Sequence, residues 1–253
     1  MGYLHEGHLS LVRRARQLGD TVWVSIFVNP TQFGPDEDLD RYPRDLERDL
    51  SLLEQEGVTT VFVPSNAEMY PDEPVVGIGF SGLERLLCGE DRPTHFAGVG
   101  LVVGKLFNIV EPDVAVFGQK DYQQSLLIRR LAADLNFPVA IEVSPTVREP
   151  DGLAMSSRNA MLSDAEREAA PAIYRALCAG RNAVLAGERD STTICRIIHD
   201  VIAAEPVLTP QYVHCVDAHN LAENPTISGE VVLAVAARAG TTRLIDNILV
   251  SPS

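Results

Sequence analysis

Apolar positions along the chain change period several times, and each change marks an element. Leu9, Val12, Ala15 and Leu18 recur at helical spacing, and Gly19 is a natural stop. Thr21 to Val28 is a continuous β-branched and aromatic run, the pattern of a strand buried on both faces. Arg44 to Glu56 predicts an amphipathic helix with Leu46, Leu50 and Leu53 on its inner face. Residues 59–64 predict a short strand. Residues 71–82, punctuated by Gly and Pro, predict a loop with a weak strand. A helix over 99–109, a strand over 113–117, a turn at 118–121 and a helix to about 135 follow, and then a strand over 139–147. Beyond Val147 the order changes. Ser163-Asp164-Ala165-Glu166 is a capping box opening one long helix through about Leu185, ended by Ala186-Gly187. A second helix is expected over 192–204, and strands over 211–216, 231–237 and 242–245. Alternating strands and helices, then helices followed by strands, predict two domains. Residues 1–147 form a doubly wound parallel α/β domain, and residues 148–253 a smaller α+β domain.

Composition narrows the function. Of 253 residues, 45% are hydrophobic and 22% charged, which is ordinary for a globular protein. The formal net charge is −14, so a nucleic-acid surface is not expected. Anionic ligands must instead be drawn by local Lys, Arg and His. The most apolar stretch, Val99 to Phe117, is broken by Lys105, Glu111 and Asp113, so no membrane span is expected. Cys88, Cys178, Cys195 and Cys215 lie far apart, and the first residues show no signal-peptide pattern. Reduced thiols and a cytoplasmic location are the expectation.

The densest candidate chemistry is His5-Glu6-Gly7-His8. On a starting helix the two rings project from one face, beside unpaired N–H groups that suit phosphate. Gly7 lets a ligand approach the backbone. Zinc binding, or two histidines merely lining a loop, are the other readings of this spacing. The run 21–28 ends at Asn29-Pro30-Thr31-Gln32. The carboxyl end of such a strand is where a ligand sits, so Asn29 and Gln32 can hold a small polar substrate or simply make a turn. Lys120 stands at the next such strand end, preceded by Gly118, and suits phosphate as a point charge. Asp121 either caps the following helix or orders a metal-bound triphosphate. Gln124, one turn on, can point back at a substrate. Arg92 and His95 occupy a polar loop. In Met155-Ser156-Ser157-Arg158-Asn159, two hydroxyls and a guanidinium suit phosphate oxygens, or a solvated turn.

His-x-Gly-His is the signature of the nucleotidyltransferases related to class I aminoacyl-tRNA synthetases. Phe27 to Phe33, Arg41-Tyr42-Pro43-Arg44, His95-Phe96-Ala97-Gly98-Val99, Gly118 to Gln124, Met155 to Asn159 and Arg243-Leu244-Ile245-Asp246-Asn247 follow in order. Together they resemble the pantothenate synthetase (pantoate–β-alanine ligase) family over nearly the whole chain. The resemblance implies a Rossmann-like sheet and a pantoyl-adenylate mechanism using ATP and Mg²⁺. It assigns His5, His8, Lys120, Ser156, Ser157 and Arg158 to the ATP phosphates. Met1, Gly2 and Val147 would lie near the nucleotide. Gln32 and Gln124 would hold pantoate, and Gln32 would also face β-alanine. A homodimer is implied too. Family members carry a strand ending in Pro-Thr before Met1-Gly2, so the sheet is expected to lack its first strand. A chain without it is expected to be less stable and less active than a longer form. Another nucleotidyltransferase of the superfamily, or an inactive nucleotide-binding protein, are the alternatives.

Overall fold

The computed structural model describes residues 2–35 and 37–252. Met1, expected near the nucleotide, lies outside them. The chain divides into two compact units, Met1–Val147 and Arg148–Ser253.

The first unit runs α1 (Glu6–Leu18), β1 (Trp23–Ser25), α2 (Leu46–Gln55), β2 (Thr60–Phe62), α3 (Asn66–Met69), α4 (Cys88–Asp91), α5 (His95–Val110), β3 (Val114–Gly118), α6 (Tyr122–Asp134) and β4 (Ala140–Ser144). All strand pairing is parallel, as helical crossovers require. β1 pairs β2 with Trp23 opposite Thr60, and β3 pairs β4 with Val114 opposite Ala140. Among the described residues the ladders are β1-β2 and β3-β4, the parallel α/β arrangement expected of this unit. Leu9 and Val12 of α1 pack with Val24, Ile26 and Leu53, and α1 also lies against β3. A second cluster joins Val99, Val102, Val103 and Phe107 of α5 to Ile128 and Leu131 of α6, over Ala115, Phe117 and Ile141.

Several expectations change in this unit. The run 21–28 yields only a three-residue strand, extended by Ile26 N–H donating to the Phe62 carbonyl at 2.9 Å, and Trp23 is half exposed. Leu46 and Leu50 are exposed; the inward face of α2 carries Asp49 and Leu53, with Leu52 beside them. The reason is the chain before α1, whose backbone N–H groups need an acceptor and find it in Asp49. Residues 71–82 form no strand.

The second unit holds α7 (Asp164–Ala169), α8 (Ala172–Leu185), α9 (Ser191–Ala203), β5 (Leu208–Asp217), β6 (Val231–Ala239) and β7 (Thr242–Val250). The Ser163–Glu166 capping box forms, but the helix predicted through Leu185 is two helices, because Pro171 has no N–H to carry the ladder on. The strands form an antiparallel sheet in the order β5-β6-β7. Ile173, Leu177, Ile194, Ile198 and Ile202 cover Leu233, Val235 and Leu244. No described helix is long and apolar enough to cross a membrane.

Candidate active site

The backbone entering α1 is tied down before the first histidine. Tyr3 and Leu4 donate their N–H groups to the two oxygens of Asp49 at 2.7 and 2.6 Å. Arg48 donates to the Leu4 carbonyl at 2.9 Å and lies over the Tyr3 ring. Tyr3 has φ 51°, a left-handed conformation that a non-glycine residue holds only when its surroundings insist.

His5 is the N-cap of α1, and His8 is its third residue. The His8 Nδ1 accepts from the His5 N–H at 3.3 Å, and the ring centroids are 4.0 Å apart. An Nδ1 used as acceptor leaves the proton on Nε2, so His8 presents one N–H donor. Burial, then the neighbouring His5 and the Lys120 charge, push the His8 pKa well below its ordinary value. His8 is therefore neutral near pH 7. Among the described residues no group of three His, Cys, Asp or Glu is placed to hold a metal, which leaves zinc at this pair without a third ligand.

Lys120 lies in a 3-10 turn, Gln119–Asp121, straight after β3, with its Nζ 4.0 Å from Asp121 Oδ1. Asp121 occupies the N-cap of α6 but makes no side-chain cap bond, so the capping role does not hold. Its half-exposed carboxylate stays within ion-pair reach of Lys120 instead. One turn later Gln124 is half-buried and Gln123 is buried. Gln123 donates to the carbonyls of Leu83 (2.9 Å) and Leu86 (2.6 Å) and accepts from the Cys88 N–H at 3.0 Å. Val147 follows β4. Just before it, the buried Ser144 and Thr146 hydroxyls have no hydrogen-bond partner among the described residues.

The turn after β1 is built by internal bonds. Asn29 is 2% exposed. Its Nδ2 donates to Gln32 Oε1 (3.3 Å) and to the Gly98 carbonyl (3.2 Å), and its Oδ1 accepts from Tyr70 (2.8 Å) and Thr31 (3.0 Å). The Asn29 amide is thus occupied in holding Gln32. Gly98 of α5 presses on the same turn, where a Cβ would stand 2.2 Å from the Thr31 carbonyl oxygen. His95, the first residue of α5, and Arg92 both reach the Gln32 backbone carbonyl. The Asp121 charge acts on His95, so the β3 end and the α5 start share one electrostatic neighbourhood.

In the second unit Ser156 caps a 3-10 turn, Ser157–Met161, accepting from the Arg158 N–H at 3.3 Å, and Ser157 is buried. Met155 precedes this turn. Asn159 fastens it to Glu149 (2.8 Å) and to the Ala154 carbonyl (3.1 Å), and Arg167 holds Glu149 at 2.5 Å. Arg148 pairs with the buried Asp246 at 2.5 and 2.9 Å and stacks 3.8 Å from the Tyr174 ring centroid.

The structure thus gathers His5, His8 and Lys120 around the start of α1, and Asn29 and Gln32 at the start of α5. The serine turn is a built feature of the other unit. Sequence reasoning did not reach Asp49 or Gln123. An acid at a helix's inward period and an amide beside an expected substrate amide were the available signals.

The family model for pantoate–β-alanine ligase matches residues 1–249. The pantothenate synthetase of Thermoanaerobacter sp. (strain X514) is 54% identical over 249 residues, covering 98% of this chain and 88% of that protein. The Roseiflexus castenholzii pantothenate synthetase is 55% identical, covering 98% and 90%. Among solved structures, pantothenate synthetase from Thermus thermophilus superimposes with a TM-score of 0.95 at 46% identity, covering 98% of this chain and 90% of that one. The Francisella tularensis pantoate–β-alanine ligase, described as complexed with β-γ ATP and β-alanine, gives 0.82 at 36% identity, covering 98% and 87%. With its motifs in order and this agreement along nearly its whole length, the chain belongs to the pantoate–β-alanine ligase family.

Proposed function

We propose that this protein condenses pantoate with β-alanine to pantothenate, using ATP. The carrying observation is the pairing of a neutral His8, offering its Nε2–H at a helix N-terminus, with Lys120 at a strand's carboxyl end. That is a donor set for phosphate charge in a member of this ligase family. First, a pantoate carboxylate oxygen attacks the α-phosphorus of ATP. A carboxyl–phosphate bond forms and pyrophosphate leaves. Then the β-alanine amine attacks the activated acyl carbon, an amide bond forms, the nitrogen loses a proton and AMP leaves. No enzyme nucleophile is required, so catalysis is positioning and charge stabilisation.

His5, His8 and Lys120 face the phosphates, and the family resemblance assigns Ser156, Ser157 and Arg158 to ATP as well. Gly2, Gly7 and Gly118 border the nucleotide, and the family resemblance adds Val147 and Met155. Gln32 and Gln124 hold pantoate, with Asn29 fixing Gln32. Mg²⁺ would be held by the half-exposed Asp121 carboxylate, beside Lys120, together with ATP oxygens, since Mg²⁺ is commonly held by one or two carboxylates and substrate phosphates. When bound it neutralises phosphate charge. The protein works as a homodimer in the cytoplasm, as its family resemblance implies.

The test is mass-spectrometric detection of pantothenate from ATP, pantoate and β-alanine, together with exchange of labelled pyrophosphate into ATP. Exchange is expected with pantoate alone. Exchange that strictly required β-alanine would refute the two-step scheme.

A further inference from the structure

The Gln32 backbone carbonyl accepts from two side chains at once, His95 Nδ1 at 2.9 Å and Arg92 Nη2 at 3.2 Å. To donate, His95 must carry its proton on Nδ1, which makes Nε2 an acceptor. Arg92 Nη1 stands 3.2 Å from that Nε2. The other edge of Arg92 grips both oxygens of Glu37, with Nε at 3.0 Å from each and Nη2 at 2.5 Å from Oε2. A carboxylate, a guanidinium, a neutral imidazole and a carbonyl are thus linked in series.

Burial, then the Arg92 charge, push the His95 pKa down to about 4, which preserves the neutral form this arrangement needs. Burial, the largest single influence, would raise the Glu37 pKa, but the Arg92 bond and charge together with the Gly34 backbone bond hold the carboxyl below its ordinary value. The Arg92 and Glu37 side chains are only 15% and 24% exposed. Such a pair returns little net stability once desolvation is counted, so stability alone explains it poorly. Its output is geometric. It fixes the peptide that carries the Gln32 side chain, whose own amide has one bond within the turn, at 3.3 Å from Asn29.

We propose that Glu37, Arg92 and His95 are positioning residues for pantoate: they clamp the Gln32 carbonyl and thereby aim its side-chain amide at the substrate. This rests on the reading that Gln32 contacts pantoate. The clamp touches the substrate only through Gln32, so its effects must vanish when that side chain is removed.

The experiment measures KM for pantoate, KM for ATP and kcat in the 253-residue chain, with melting curves to check folding. His95→Asn and His95→Gln form the informative pair. Both supply an amide, but Asn places its N–H near the Nδ1 position and Gln beyond it. His95→Asn is expected to keep KM for pantoate within about threefold of the parent. His95→Gln and Arg92→Met are expected to raise it about tenfold, the effect of losing a hydrogen bond's worth of alignment. KM for ATP should stay within about twofold. In a Gln32→Ala background the same changes should have no further effect on KM for pantoate, as coupled neighbours require. Equal effects of His95→Asn and His95→Gln, or full effects persisting in the Gln32→Ala background, overturn the clamp. If Gln32→Ala itself leaves KM for pantoate unchanged, the assignment of Gln32 to pantoate fails, and the clamp with it. If Gln32→Ala raises KM while His95→Gln and Arg92→Met are silent, the clamp alone is wrong.

Discussion

Asp49→Asn is expected to damage the site from a position that touches no substrate. The carboxylate is 1% exposed and accepts the Tyr3 and Leu4 N–H groups, one on each oxygen. Asparagine keeps one oxygen and turns an NH₂ group against the other donor. One charge-assisted bond, worth about 1.5–3 kcal/mol, is lost, and the other becomes a neutral bond worth about 1 kcal/mol. The Arg48 contact, 3.6 Å away and half exposed, adds little. A total near 3 kcal/mol is a large share of a stability of roughly 5–15 kcal/mol. At about 2–4 °C per kcal/mol for a chain of this size, the melting point should fall by about 6–12 °C. The released segment includes Tyr3, held at φ 51°, and leads straight into the His5 N-cap. Misplacement of about 1 Å at a reacting group can cost about a hundredfold. Single-turnover adenylation, measured well below the melting transition, should therefore slow by at least about tenfold. A variant with the parent's melting point and adenylation rate would refute the idea that Asp49 sets the histidine motif.

Three further outcomes are expected. His8→Ala and Lys120→Ala should each slow adenylation by about 10²–10³-fold with a melting point close to the parent's, as for loss of one preorganised donor; near-normal single-turnover rates would remove the assigned role. Gly98→Ala forces a Cβ to 2.2 Å from the Thr31 oxygen, so it should lower stability by about 1–3 kcal/mol and raise KM for pantoate; an unchanged melting curve would mean that the turn and α5 separate freely. The His95 pKa, about 4 when folded against 6.5 ordinarily, means that the unfolded chain takes up the proton first as pH falls. Stability is then full above about pH 6.5 and declines toward pH 4, by about 2 kcal/mol between pH 7 and pH 5 from this group alone. His8 acts in the same direction, so His95→Asn should flatten the slope without abolishing it; a slope equal to the parent's would place the acid sensitivity elsewhere.

What the sequence by itself determined was local and periodic. The helical spacing after His8, the capping box at Ser163–Glu166, the strand-turn-helix around Lys120 and the change of pattern after Val147 are properties of near neighbours, readable from spacing and propensity. The motif order then pointed to the chemistry. Tertiary structure decided whatever depends on distant segments meeting. Leu46 and Leu50 fit a helical face as well as Asp49 does. Only the approach of the Tyr3 and Leu4 N–H groups turns Asp49 inward, because a buried donor without an acceptor costs more than an exposed leucine. Asn29 has the position of a substrate ligand, but Tyr70, Thr31 and Gly98 take up its amide. Asp121 sits where a cap belongs, and its carboxylate turns elsewhere. The single helix expected through Leu185 ends at Pro171, a residue already visible in the sequence but outweighed there by the apolar period around it. The linkage of Glu37, Arg92, His95 and Gln32 spans more than sixty positions of chain. No spacing rule reaches that far, because such contacts are set by how α5 packs against the turn after β1.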